Sequence, residues 1–529
     1  MMDSINLLRI AFLALVTLFG AILIAIEMRQ SSRHGKFSNI AHVALITIAI
    51  INVLLVIYLW INHITFPLNL DVMEGVVLQH FQQATAYAPI YPEPSPGYVP
   101  LAYNPLFYII SIPFSWILGI NLTTLRFVAI LGAIGSGLII YLVIKDKTRS
   151  TWWGLIAVGL YAAAYSVMDF YLDTAHSDSW LLFAFLLGSY IIDRNRGKSW
   201  NLLGVVILVA SFWFKQHGAL FAIGGLVFLT WREGLKRSLL YWLSAFILGP
   251  VLYIFAGPVL FGSQFHYFTW QVPRQWSELG FSSVRRYLAF ILKSYPILAL
   301  SSGLFTLWTL IKEREKLNIW HFQLLFAVLS GFMGTLDPGS SNNVFIPMGA
   351  MFILVGTLGL HQLAAAVEVA KAYRVHLLAL FISFAFLAYN PFPVMTSPDA
   401  DEAYDDLVNY LTELDGSVYA PSIGQLQDGF ALYPTAHWVA LEDMIRGPGR
   451  DTSNHPNTRL LLQPAIEPQG QAYILANYPL EFYYWIGFLN EYYILDSDLG
   501  DRFEPLRVLP ARWDHGWPRY VYRYAPDEQ

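Results

Sequence analysis

No cysteine occurs in the 529 residues, which excludes disulfides, thiolate nucleophiles and cysteine-held metals outright. Charge is scarce as well. Asp, Glu, Lys and Arg make up 13 % of the chain, against about 25 % in an ordinary soluble domain. Most of the surface must therefore be solvated by something other than water. The net charge of −5 comes without a basic tract, so nothing is suited to a nucleic-acid backbone. Internal repeats are lacking too, and with them the symmetry on which many transporters are built. What is abundant is apolar: 56 % hydrophobic and 16 % aromatic residues, in runs near or beyond the roughly 18–20 needed to cross a bilayer. This is the composition of a multi-span membrane protein.

Apolar runs between polar breaks place spans at 6–26, 40–61, 122–144, 151–168, 179–193, 200–214, 217–231, 239–262, 287–311, 319–336, 345–366 and 375–390. The first is too long for a signal-peptide core and lacks a small-residue cleavage site, so it is read as a helix. Short cytoplasmic loops are enriched in Lys and Arg. Arg29 to Lys36, Lys145 to Arg149, Arg194 to Lys198, Arg232 to Arg237 and Lys312 to Lys316 fit that description, with Lys371 and Arg374 a weaker sixth. All six share one side only if the run 105–119 does not cross. Tyr103-Asn104-Pro105-Leu106-Phe107 is accordingly read as the start of an interfacial or re-entrant helix. The aromatics Tyr87, Tyr91, Tyr98, Tyr103, Phe107 and Tyr108 are read as an interfacial belt.

That parity puts 62–121, 169–178, 215–216, 263–286, 337–344 and 391–529 on the extracytoplasmic side of a cell inner membrane. The last segment is different in kind. From Ser397 it turns polar, with a helix-like stretch carrying Leu407, Leu411 and Leu414. Short strand-like runs follow at 417–420, 459–462, 472–476 and 519–524, punctuated by Pro and Gly. Two domains are expected: a transmembrane domain over 1–391, with a first outer loop at 62–121 carrying interfacial helices, and a soluble extracytoplasmic α/β domain over 392–529.

Ionisable residues at a membrane boundary cost free energy to keep there and are functional candidates. Asn69-Leu70-Asp71-Val72-Met73-Glu74-Gly75 sets two carboxylates three residues apart just beyond a span. Asp71 can take a proton from an attacking hydroxyl or amine, with Glu74 as the catalytic neighbour that orients the acceptor or tunes the pKa of that base. It can equally cap a helix beginning near Val72, with Glu74 completing the cap. Asp178 either caps the next span or supplies a second catalytic carboxylate, and Asp173 and His176 beside it are candidate substrate contacts. Asp71, Asp178 and His176 are the residues that could hold a divalent cation, although the spacing demands none. Lys215-Gln216-His217 forms a tight hairpin at headgroup depth. A fixed cation there stabilises a departing phosphate, unless Lys215 only snorkels from a helix end. Arg285 and Arg286 read better as headgroup anchors than as phosphate ligands. The turn-rich run Asp337 to Asn343 brings Asn343 to the start of a span, and Asn343 and Tyr103 complete the candidate substrate-binding set.

In order along the chain, four pieces carry a likeness to a known family: Asp71-Val72-Met73-Glu74-Gly75; Ile90-Tyr91 and Tyr103-Asn104-Pro105-Leu106 leading to a helix with Arg126; Asp173 to Asp178 before an apolar span; and Phe214-Lys215-Gln216 followed by Gly339-Ser340-Ser341-Asn342-Asn343-Val344-Phe345-Ile346-Pro347. Over roughly 40–366 the chain resembles the C-type glycosyltransferase superfamily (GT-C), which includes protein O-mannosyltransferases and the bacterial aminoarabinose transferase. The resemblance implies a polytopic α-helical membrane protein with about 12–13 transmembrane helices. It also implies a polyprenyl-phosphate-linked sugar donor drawn from among the membrane lipids, inverting transfer at the outer leaflet, and an aspartate base mapping onto Asp71. Family members often have arginine where His176 stands. The acceptor, whether lipid, glycan or protein, does not follow from the likeness. The competing readings are a transporter or flippase of lipid-linked sugars, a diphosphate-donor glycan polymerase or ligase, and a scaffold whose soluble domain binds a partner.

Overall fold

The computed structural model describes residues 2–31, 39–366, 374–424, 426, 436–445, 456–483, 486–509 and 516–526. Long apolar segments become helices because a bilayer offers backbone groups no other partners. In chain order these are α1 (Met2–Ser31), α2 (Ile40–Ile64), α3 (Glu74–Thr85), α4 (Leu106–Leu118), α5 (Leu122–Thr148), α6 (Thr151–Ala163), α7 (Asp178–Asp193), α8 (Lys198–Phe214), α9 (Ala219–Glu233), α10 (Leu235–Phe261), α11 (Phe281–Ser294), α12 (Pro296–Lys312), α13 (Ile319–Gly334), α14 (Ile346–Ala366) and α15 (Val375–Leu387). Among the described residues, α1, α2, α5, α10 and the helix over Asn342–Ala366 are long and apolar enough to cross a membrane alone. Helices α6, α8, α13 and α15 have only 13, 17, 16 and 13 residues. The run 151–168 shows why. Its helix stops at Ala163, and the chain then turns through Asp169 and Phe170, both at positive φ (50° and 65°).

One expected span is corrected outright. The run 287–311 is two helices, α11 and α12, meeting at 99°. The break falls at Tyr295-Pro296, where proline starts a new helix in its favoured first position.

The two ends of the bundle differ in character. At one end, Lys147 pairs with Asp193 at 2.7 Å, Arg194 bonds to Asp146, and Arg232 donates to the Ile192 carbonyl at 3.2 Å. Glu27 bonds to Arg374 and lies 3.1 Å from His42. The basic loops after α5, α7 and α9 therefore meet at one end, and Arg374 meets the last turns of α1; Lys371 and residues 32–38 lie outside the described residues. At the other end, Arg126 near the start of α5 donates to the carbonyls of His63 and Phe66, at the end of α2. Residues 65–121 thus leave and return at the same end, and α4 makes no net crossing. Four of the six aromatics read as a belt, Tyr91, Tyr98, Phe107 and Tyr108, are buried instead, while Tyr87 is exposed. Tyr91, Tyr98 and Tyr108 are buried around the imidazole of His80, which accepts from the Leu101 N–H and contacts the Val76 carbonyl.

Beyond α15 the chain builds a helix, α16 (Ala400–Glu413), and a mixed four-stranded sheet. Its strands β1 (Ser417–Tyr419), β2 (Ala472–Ala476), β3 (Tyr493–Asp498) and β4 (Tyr520–Tyr524) lie in the order β1-β2-β4-β3. Only β1 and β2 are parallel. The strand expected at 459–462 is absent: Pro456–Leu461 is helical, as proline in a first turn favours. The expectation also passed over β3. Pairs between Leu509 N–H and Leu70 carbonyl (2.9 Å), Asn69 and the Ile423 carbonyl (3.2 Å), and Ala436 and the Pro96 carbonyl (2.7 Å) seat this domain on the first loop.

Candidate active site

The turn after α2 is tied from within. The Asp71 carboxylate accepts from the Met73 N–H at 3.0 Å, and the Glu74 carboxylate reaches back to the Leu70 N–H at 2.7 Å. The capping reading of this pair is thus partly realised two residues later than expected, since α3 begins at Glu74. The second oxygen of Asp71 accepts from the Tyr171 hydroxyl at 3.0 Å. Burial pushes Asp71 up from its ordinary 3.8 to about 6, opposed by His176 and by the hydrogen bonds from Met73 and Tyr171. That is where a general base working near neutrality is useful.

Glu74 has a different place from the one the sequence suggested. Its carboxylate meets Arg126 at 2.5 and 3.0 Å and also accepts from the Leu70 and Ala175 N–H groups, both at 2.7 Å. Four donors occupy it, so it positions the first and second loops rather than acting on a substrate. Arg126 additionally holds the carbonyls of His63, Phe66 and Leu68. The sequence signal was available: an arginine five residues into an apolar span needs partners. Asp173 is likewise turned away from Asp71. It accepts from Tyr165 at 2.5 Å and pairs with His63 at 2.7 Å, whose Nε2 meets the Val394 carbonyl at 2.6 Å. His63 and Tyr165 gave no sequence signal, because their partner is 110 residues from one of them.

The remaining candidates converge. Asp178, at the first residue of α7, accepts from Lys215 Nζ with both oxygens (2.8 and 2.9 Å), from His176 Nδ1 (2.5 Å) and from Asn343 Nδ2 (3.2 Å). Lys215 stands where the α8–α9 connection turns back tightly. A Cβ on Gly218 would come within 2.2 Å of the Ser211 carbonyl, so only glycine permits this hairpin. The Lys215 ammonium lies 4.8 Å over the Tyr103 ring. His176 packs edge-on between Tyr103 (5.1 Å) and Tyr171 (5.0 Å), and its buried Nε2 has no hydrogen-bond partner among the described residues. Gln216 is spent on the Ala102 and Thr269 carbonyls, and His217 sits edge-on to Phe221; neither is brought to Asp71. The loop carrying Asn343 is fixed from both sides. Asn342 donates to Asp169 at 2.6 and 3.0 Å, and Arg286 donates to Ser340 and Ser341. Arg286 is therefore neither a headgroup anchor nor a phosphate ligand.

The cation reading does not fit these groups. Both oxygens of Asp178 already face an ammonium, and among the described residues no group of three His, Asp or Glu is placed to hold a metal. An apolar cavity of about 190 Å³ is lined by Pro105, Leu106, Ile109, Trp213, Leu252 and Leu260 among others; Pro105 and Trp213 stand two residues along the chain from Tyr103 and Lys215. Among the described residues the arrangement offers a base, a cation held by a carboxylate and an imidazole nitrogen without a hydrogen-bond partner.

No family model and no curated protein matches the chain. Among solved structures, ArnT from Cupriavidus metallidurans in the apo state aligns with a TM-score of 0.51 at 11 % identity, over 90 % of this chain and 98 % of that one. The same protein bound to undecaprenyl phosphate aligns over the same shares at 0.47 and 11 %. The Archaeoglobus fulgidus oligosaccharyltransferase in complex with Zn and sulfate aligns over 88 % and 70 % at 0.44 and 13 %. The chain has a GT-C-like fold.

Proposed function

We propose that this protein is an integral inner-membrane glycosyltransferase. It moves a sugar from a polyprenyl-phosphate-linked donor to a lipid, glycan or protein acceptor on the extracytoplasmic side, with inversion. The observation that carries this reading is the convergence of Asp71, Asp178 and Lys215, which lie 37 residues or more apart in sequence, around His176. The GT-C-like fold supports it. In the reaction, the acceptor's nucleophilic atom loses its proton to an oxygen of Asp71 as it attacks the anomeric carbon. The bond from that carbon to the lipid phosphate breaks on the opposite face. Negative charge accumulating on the phosphate is met by Lys215, whose orientation Asp178 fixes, and by His176 Nε2; fixed groups of this kind need no reorganisation when the charge appears. Tyr103 and Asn343 line the same space. The apolar cavity lined by Pro105 and Trp213 accommodates the first part of the lipid tail.

The deciding experiment is transfer of labelled sugar from polyprenyl monophosphate in membranes containing the wild type or Asp71→Asn. Transfer by the wild type and a loss of about 10²–10⁴-fold in the variant is expected for a missing general base. Transfer only from a diphosphate donor would move the reading to a polymerase or ligase, and no transfer from either would overturn it.

A further inference from the structure

Helix α11 is amphipathic in an unusual setting. It lies at 99° to α12, which follows it directly. Helices α11 and α12 have 14 and 17 residues; joined straight they would run about 46 Å, far beyond a hydrocarbon core of about 30 Å. Bending at Pro296 lets α12 descend and lays α11 across the end of the bundle. One face of α11 is fastened to the body. Phe290 stacks on Phe345 at 3.9 Å, Tyr287 donates to the Val328 carbonyl, and Arg286 holds Ser340 and Ser341.

The other face is bare. Phe281, Val284, Leu288 and Leu292 are 82, 37, 51 and 64 % exposed, and at 3.6 residues per turn they fall within about 80° of one another. Arg285 borders this stripe and is exposed, as are Lys293 on the same helix and Arg274 just before it; Glu278 is the one exposed acidic side chain in that approach. An apolar stripe edged by cations is the pattern of a helix lying in a lipid interface, with arginine snorkelling to the headgroups. A second copy of the chain would need roughly 800 Å² per partner for a stable interface, more than four side chains on one narrow stripe present.

We propose that α11 is an in-plane anchor that docks on anionic phospholipids of the outer leaflet, its apolar stripe among the acyl chains and Arg285 and Lys293 on the headgroup phosphates. Through Arg286 the same helix holds the 340–343 loop, so the leaflet and the Asp178 side of the site are mechanically joined. The inference does not depend on the transfer reaction.

Because the chain has no native cysteine, Leu288→Cys gives a single attachment point for a fluorophore in the full-length protein in nanodiscs. Brominated phosphatidylcholine should quench it, which places the stripe in lipid. In mixed discs, brominated phosphatidylglycerol should be enriched around it about fivefold for each of the two cations, the value of one basic residue near an anionic surface. The enrichment should vanish in Arg285→Gln/Lys293→Gln and fall with salt, while melting in detergent stays unchanged. Absence of quenching, or equal quenching by the two lipids, overturns the proposal. So does enrichment that survives the double variant. Cross-linking of two copies at 288, or protection by added polyprenyl phosphate alone, would reassign the face.

Discussion

Two carboxylates three residues apart have opposite fates here, and their variants should separate. Asp71 is buried with two hydrogen bonds and, among the described residues, no Lys or Arg paired with it, and its raised value of about 6 means that folding favours its protonated form. That contribution is full below 3.8 and is lost as pH rises through about 6. Asp71→Asn should therefore leave stability at neutral pH unchanged or raised, by on the order of 3 kcal/mol at most, while lowering turnover about 10²–10⁴-fold. Wild-type transfer should rise with pH through about 6 and then level off, and the Asn variant should show no such limb. Glu74→Gln is the contrasting case. It leaves Arg126 uncompensated among carbonyls, and breaking a buried pair costs about 3–5 kcal/mol, so its melting temperature should drop well below that of Asp71→Asn. Equal melting of the two variants would contradict the division of roles. The motif itself was legible in sequence; which carboxylate carries a cation was not, because Arg126 is 52 residues away.

At the level of elements, close approach decides how the soluble domain meets the bundle. A Cβ on Gly75, in the first turn of α3, would lie 1.9 Å from the Ile423 carbonyl. Backbone cannot yield as a side-chain tip can, so Gly75→Ala should force the 423–424 segment away from the Asp71 turn. Overpacking of this kind costs about 1–3 kcal/mol. Limited proteolysis should then cut between α15 and the sheet faster than in the wild type, and transfer should fall with it; unchanged digestion would show that the contact is not held. The apolar runs announced most helices, and periodicity announced α16. The sheet was half visible, since β1, β2 and β4 alternate or run apolar, whereas Asp496 and Asp498 disguise β3 as a loop. The bend before Pro296 was missed because hydropathy reads continuously through it.

For the whole molecule, the prediction concerns sides. Lys198, at the basic end, and Asp415, beyond α16, are both exposed. In a chain without other cysteines, Asp415→Cys should react with an impermeant maleimide from outside spheroplasts, and Lys198→Cys only after permeabilisation. Labelling of both from one side would end the proposed extracytoplasmic assignment. Composition alone marked this chain as a membrane protein with several apolar helices, and the Lys and Arg loops proposed which end faces which side, since burying charge in hydrocarbon is costly. Asp71 was likewise marked by its place beside a span. Tertiary structure decided what composition cannot encode: that Asp178 and Lys215 meet, that Glu74, Asp173 and Gln216 are consumed in holding loops, and that α11 and α12 meet at 99°. Hydrogen-bonding capacity is finite and local, so a polar side chain's task is fixed only when the fold determines which distant donors reach it first.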